Sequence, residues 1–118
     1  MERVRFISHR DKQVLFVDLS NSTPAEAQEI SAKVQALVTA QPKDSVLILV
    51  DLAGARFDKN ALDHMKKVAA YDRPHVRRSA MIGGGAQQKF LKQTLKFFSQ
   101  RDYASFETKE EALDWLVS

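Results

Sequence analysis

Residues 46–54, Val46-Leu47-Ile48-Leu49-Val50-Asp51-Leu52-Ala53-Gly54, decide how this chain folds. Five consecutive aliphatic residues make a strand buried on both faces, the pattern of a parallel strand lying between layers of helix. The run ends on an acid and a glycine. In open α/β sheets the functional crevice lies beyond the carboxyl ends of such strands. Asp51-Leu52-Ala53-Gly54 therefore falls where binding or regulation is expected.

Working outward, Val4 to Ser8 and Val14 to Leu19 read as two short strands joined by the polar turn His9-Arg10-Asp11-Lys12-Gln13, an antiparallel hairpin. Thr23-Pro24-Ala25-Glu26 opens a helix with a capping box and a proline at its first position. Ala27, Ile30, Val34, Leu37 and Val38 form its apolar stripe, and Gln41-Pro42 ends it. Beyond the central strand, Asp58 caps a second helix striped by Leu62, Met65, Val68 and Ala69 and closed by Pro74. Ser79 to Ile82 is a strand entering Gly83-Gly84-Gly85. A third helix starts near Ala86, with Phe90, Leu91, Thr94, Leu95 and Phe98 expected to face inward and Phe97, like Trp115 of the last helix, at the edge of its stripe, where exposure would mark a protein contact. Tyr103 to Phe106 is a last strand. Thr108 and Glu111 form a second capping box before a helix built on Ala112, Leu113, Trp115 and Leu116.

The order β-β-α-β-α-β-α-β-α predicts one α/β domain over residues 1–118, a mixed, mostly parallel sheet flanked by helices. At 118 residues the chain buries roughly two-thirds of its unfolded surface unaided. It has no cysteine, which excludes disulfides, thiolate metal sites and cysteine nucleophiles. Glu2, Arg3 and Arg5 follow Met1 directly, with no apolar signal segment and no membrane-length run, so the cytoplasm is the expected location.

These pieces resemble the STAS domains, in particular the SpoIIAA-like branch of anti-sigma-factor-antagonist-like proteins. The resemblance rests on Val-Asp-Leu-Ser at 17–20, Leu-Val-Asp-Leu-Ala-Gly at 49–54, the step Ile82-Gly83, and Phe-Glu-Thr-Lys-Glu-Glu-Ala-Leu-Asp-Trp-Leu at 106–116. CRAL-TRIO lipid-binding domains are related at the level of fold. The resemblance implies a regulatory, protein-docking module with an anti-sigma-factor-like partner. In that branch the loop reads Asp-Ser-Ser-Gly, and a kinase phosphorylates the serine before the glycine. Asp51 and Gly54 keep the pattern; Leu52 replaces the first serine and Ala53 the phosphoacceptor. An alanine has no hydroxyl, so that switch cannot run at position 53.

The remaining residues define what chemistry is open. Asp51 is expected to accept loop N–H groups rather than act as an acid or base. Gly83, Gly84 and Gly85 at a helix start suit a tight turn, or an approach to an anion, but match neither a dinucleotide nor a phosphate-loop fingerprint. The topology should gather loops 20–23, 52–57 and 83–86 at one sheet edge. Ser20, Asn21, Ser22, Arg56 and the three glycines would then line one pocket for a small anion such as a metabolite, nucleotide or lipid, an alternative role as a ligand sensor. His9, His64 and His75 show no ligand spacing, so no metal or cofactor is expected. No nucleophile–base pair is visible, so no enzyme is expected. Residues 66–101 carry nine Lys and Arg against Asp72 alone, while residues 102–118 carry Lys109 against five acids. Lys89, Lys92 and Lys96 share one helix face. That block suits an anionic surface, but no nucleic-acid motif accompanies it. A homodimer stays compatible with the sequence, which carries no direct sign of one.

Overall fold

The computed structural model describes residues 2–118. Ten elements follow the expected order. The strands are β1 (Val4–His9), β2 (Lys12–Asp18), β3 (Val46–Asp51), β4 (Val76–Ile82) and β5 (Ala104–Phe106). The helices are α1 (Pro24–Thr39), α2 (Lys59–Asp72), α3 (Gly85–Ser99) and α4 (Lys109–Leu116), with a single 3-10 turn at Arg73–His75. The sheet order is β1-β2-β3-β4-β5; β1 and β2 pair antiparallel and all other neighbours pair parallel. Each parallel step moves to the adjacent strand in one direction, so right-handed crossovers place α1, α2 and α3 on the same face.

That face holds the larger core. Leu15, Val17, Ile48 and Met81 of the sheet meet Ile30, Val34, Met65, Val68, Leu91 and Leu95 of the three helices. The opposite face is covered by α4 alone, whose Ala112, Leu113 and Leu116 pack on Val14, Phe16, Leu47, Leu49, Ala80 and Ile82. Strands β2 and β3 are thus apolar on both sides, which is why Val14–Val17 and Val46–Leu49 read as unbroken aliphatic or aromatic runs. So short a helix is fixed by polar contacts at its rim. His9 Nε2 meets Asp114 Oδ1 at 2.8 Å and Arg10 reaches the same oxygen at 3.1 Å. Lys12 donates to Val117 O at 3.1 Å and Arg78 to Trp115 O at 2.8 Å. The hydrogen bond from His9, joined by the charges of Arg10 and His9, holds the Asp114 carboxyl below the usual range.

The capping box of α1 is complete. Glu26 N–H donates to Thr23 Oγ1 at 3.2 Å, and Thr23 N–H donates to Glu26 Oε1 at 3.0 Å. Thr23→Ala is expected to lower stability by about 1 kcal/mol, read as a shift of the urea midpoint with unchanged slope. At Thr108 only half of the expected box forms. Thr108 Oγ1 accepts Glu111 N–H, while the Glu111 carboxylate turns to the Thr108 hydroxyl at 2.9 Å instead of the backbone.

Several boundaries move. Strand β4 begins three residues earlier than its apolar run, because Val76 and Arg78 still pair with β3 across a register shift at Val46/Leu47. Tyr103 lies outside the ladder, in the core. The larger correction concerns α3: Phe90 and Phe98 are half-exposed, and only Leu91, Leu95 and Ser99 are buried. The helix flanks the edge strand β5, three residues long, so only a narrow stripe of it finds sheet to cover.

Candidate functional site

The loops after β2, β3 and β4 meet at the carboxyl end of the sheet and are stitched together by backbone. Leu19 N–H donates to Asp51 O (2.9 Å), Asn21 N–H to Ala53 O (2.8 Å), Leu52 N–H to Ile82 O (2.9 Å) and Arg56 N–H to Ser22 O (3.0 Å). Asp51 accepts Ala53 N–H at 3.0 Å through Oδ1, so its carboxylate shapes the loop, as an acid two residues before a turn amide does. Two glycines are required here. Gly54 has φ +67°, and a Cβ on it would stand 2.2 Å from Asn21 Oδ1; Gly83 has φ +71°, and a Cβ on it would stand 2.8 Å from Ala53 N. Gly84, also at positive φ, precedes α3 as its cap residue, and Gly85 begins the helix with open space around it.

The tetrapeptide divides by exposure. Leu52 is wholly buried, in the core with Leu19 and Ala55, whereas Ala53 and Gly54 stand exposed at the tip. The accessible surface of this loop is therefore Ala53-Gly54 and not the leucine between them and Asp51.

The residues expected to line one anion pocket do not share one. Arg56 opens onto a groove of about 520 Å³ between α2 and α3, lined by Phe57, Lys59, Leu62, Gln87 and Phe90. Gly83 and Gly85 face a different depression of about 380 Å³, beside Gln88, Ser105 and Phe106. Ser22 is fully buried and donates to Leu19 O at 2.8 Å; the Ser20 hydroxyl donates to Asp18 Oδ1 at 2.5 Å. Asn21 is exposed, with its side-chain oxygen close against Gly54. The two serine hydroxyls are thus spent inside the loop after β2. Among the described residues no three His, Asp or Glu side chains gather as a metal site.

A second feature sits under the helices, where local sequence gives little warning of it. A cavity of about 60 Å³ is walled by apolar side chains, with Asp72 and Arg101 among its lining. The volume accommodates a few waters. Asp72 is fully enclosed, and neither carboxylate oxygen has a protein hydrogen-bond partner; Arg101 Nε has none either. Arg101 reaches Ser79 Oγ at 2.8 Å and Ala69 O at 3.4 Å. Burial pushes the Asp72 carboxyl up to about 6, against the pull of Arg101 and His75. Burial also raises the Tyr103 phenol. The available signal for Asp72 is spacing, because it continues the Ala61–Met65–Val68/Ala69 stripe of α2.

A family model described as SpoIIAA-like matches residues 17–117. The chain is also similar to an uncharacterised protein of the DUF3478 family from Shewanella loihica PV-4, whose crystal structure has a SpoIIAA-like fold. The two are 19% identical over 96% of this chain and 91% of that one, with a TM-score of 0.76. At that identity the likeness shows the fold alone. No curated protein matches the sequence. Among the described residues no helix is long and apolar enough to cross a membrane.

Proposed function

Because the chain belongs to the SpoIIAA-like family, we propose that this STAS-type module is a non-catalytic, cytoplasmic regulator that docks another protein through residues 51–57 and the first turns of α2. One observation carries the reading: the tip of the loop, Ala53-Gly54, is exposed on a backbone locked by the loop after β2 and the end of β4. Such a tip is pre-organised, so little ordering entropy is lost on binding. Beside it lies the groove containing Phe57, Leu62 and Phe90, an apolar floor with Arg56, Lys59 and Asp58 around it, the Asp58 carboxylate being engaged in capping α2. Aromatic anchors with arginine nearby are the composition of a binding hot spot. An acidic, amphipathic segment of an anti-sigma-factor-like partner fits that chemistry. With alanine at position 53, this docking is constitutive with respect to phosphorylation there.

The test is comparative capture from native lysate by wild type, Ala53→Asp and Arg56→Glu, followed by titration of the purified pair. The expected result is a protein held by wild type whose affinity falls at least about tenfold in both variants, as burying a like or unpaired charge at an interface does. A partner that binds all three equally well rules this surface out.

A further inference from the structure

Residues 66–101 hold nine basic side chains against Asp72 alone, and the docking surface proposed above uses none of them. The fold divides this block by residue type. Its lysines, Lys66, Lys67, Lys89, Lys92 and Lys96, lie on α2 and α3. Its arginines, Arg73, Arg77, Arg78 and Arg101, all line one notch of about 240 Å³ at the amino end of β4, away from the loop cluster. The notch exists because β4 starts before its neighbour. Strand β5 pairs only with Ala80–Ile82, so Val76–Ser79 have no strand beside them on that side, and Gln100, Arg101 and Asp102 line the notch from the link between α3 and β5. Arg73 and Arg77 are exposed and enter none of the ion pairs among the described residues. Arg101 is 8% exposed, and its Nε has no hydrogen-bond partner. Arg78 is tied to α4 through Nη1, which donates to Trp115 O at 2.8 Å. The one carboxylate in the lining, Asp102, is held by Lys96 at 3.0 Å; the buried Asp72 faces the inner cavity and not this notch.

Guanidiniums in this number choose the ligand. Each presents a rigid fork of donors that matches the oxygens of a phosphate, and each is less strongly hydrated than an ammonium. Two uncommitted forks, Arg73 and Arg77, with the enclosed charge of Arg101 beside them, suit a dianion better than a single carboxylate. Size narrows the choice further. Pockets that enclose drug-sized ligands start at about 300 Å³, so this notch takes a phosphate group and little more. No aromatic side chain is in its lining, so nothing there stacks a base or a ring.

We propose that this notch binds a phosphate dianion, free or carried on a small monoester, between Arg73 and Arg77 with Arg101 as the fixed inner charge. The measurement is an amide NMR titration of the full chain with inorganic phosphate and, separately, with glycerol phosphate. It is run at about pH 7.5, where the phosphate carries close to two charges, with ionic strength held constant by sodium chloride. Saturable shifts are expected at Arg73, Arg77 and Gln100 to Asp102. Arg73→Ala with Arg77→Ala should raise the half-saturating concentration at least about tenfold, since a hydrogen bond to a charged group contributes more than a tenfold factor. Lys33→Ala with Lys89→Ala removes as much charge from exposed positions of α1 and α3 and should leave it within about twofold. Circular dichroism should show both double variants folded, because all four side chains are exposed. Saturation by both probes assigns the site to the phosphate group wherever it is carried, and saturation by one alone names the carrier. Saturation by neither, shifts confined to the lysine-bearing helices, or equal weakening by the two double variants overturns the proposal.

Discussion

Arg101→Met is expected to cost the fold roughly 1–3 kcal/mol, more at pH 8 than at pH 5, because it takes a nearby positive charge from the buried Asp72 carboxylate and strips Ser79 and Ala69 of their donor. The asymmetry follows from Asp72. Its carboxyl titrates at about 6 in the folded protein against an ordinary value of 3.8. Between those values the folded chain holds a proton that the unfolded chain releases. Stability from this group is therefore complete below about pH 4 and declines as pH rises to about 6, by about 3 kcal/mol in all. Arg101 already limits that loss, because its charge favours the ionised carboxylate. Without the guanidinium, Asp72 should titrate still higher and the decline should extend further towards neutral pH. At low pH a neutral Asp72 has no charge to leave unpaired, and the variant forfeits only the bonds to Ser79 and Ala69.

Urea midpoints measured across pH 4 to 8 read this directly, and two further variants make the assignment specific. Asp72→Asn should flatten the slope between about pH 4 and 6, since nothing at that position then titrates. The double variant Asp72→Leu with Arg101→Met should recover most of the loss, since it also removes the buried carboxylate whose charge the guanidinium favours. A slope that survives Asp72→Asn would belong to another group. The pair also explains how the helices are held at that end. Arg101, just beyond α3, bonds the Ala69 carbonyl of α2 and the Ser79 hydroxyl of β4, so one side chain ties three elements together.

How far the fold was legible depends on what each residue had to report. Periodicity and caps are local, so Thr23, Asp58, the unbroken run at 46–50 and the stripe of α1 all predict their elements correctly. Alternating strands and helices, with the handedness of crossovers, then leave few sheet orders, and the observed one is among them. The expected inward stripe of α3 fails because periodicity says which residues share a face, not how much sheet lies opposite; β5 is too short to cover Phe90 and Phe98. Proximity of the three loops was legible from topology, yet the single pocket was not. Whether the Ser20 and Ser22 hydroxyls bond within their own loop or to a ligand is decided by distances of a few tenths of an ångström. The Asp72–Arg101 juxtaposition joins residues 29 apart and leaves only the stripe position of Asp72 as a trace.

Serine at position 52 and serine at position 53 should have sharply unequal consequences. Leu52→Ser is expected to lower stability by about 3–4 kcal/mol, because it removes a fully buried leucine and puts a hydroxyl in its place. Leu52 also closes the loop cluster from inside: its Cβ would stand 3.0 Å from a Cβ on Gly84, and its N–H is spent on Ile82 O. A smaller, polar side chain there loosens the strand-to-loop junction at the point where β3 and β4 leave the sheet. Ala53→Ser should change stability by no more than about 0.5 kcal/mol, since position 53 is exposed. Thermal or urea unfolding of the two single variants reads the difference, and comparable losses in both would mean that the loop tip bears load that its exposure does not reveal. If the inequality holds, Ala53→Ser supplies an accessible hydroxyl on an undisturbed loop. A phosphate there would place about −1.5 to −2 charges beside the Asp51 carboxylate, which already accepts the amide of residue 53. Like charges so close should force that turn open, so phosphorylated Ala53→Ser should lose a partner that the unmodified variant keeps. Leu52 is a structural commitment of this chain, whereas position 53 differs from a serine by one exposed oxygen atom.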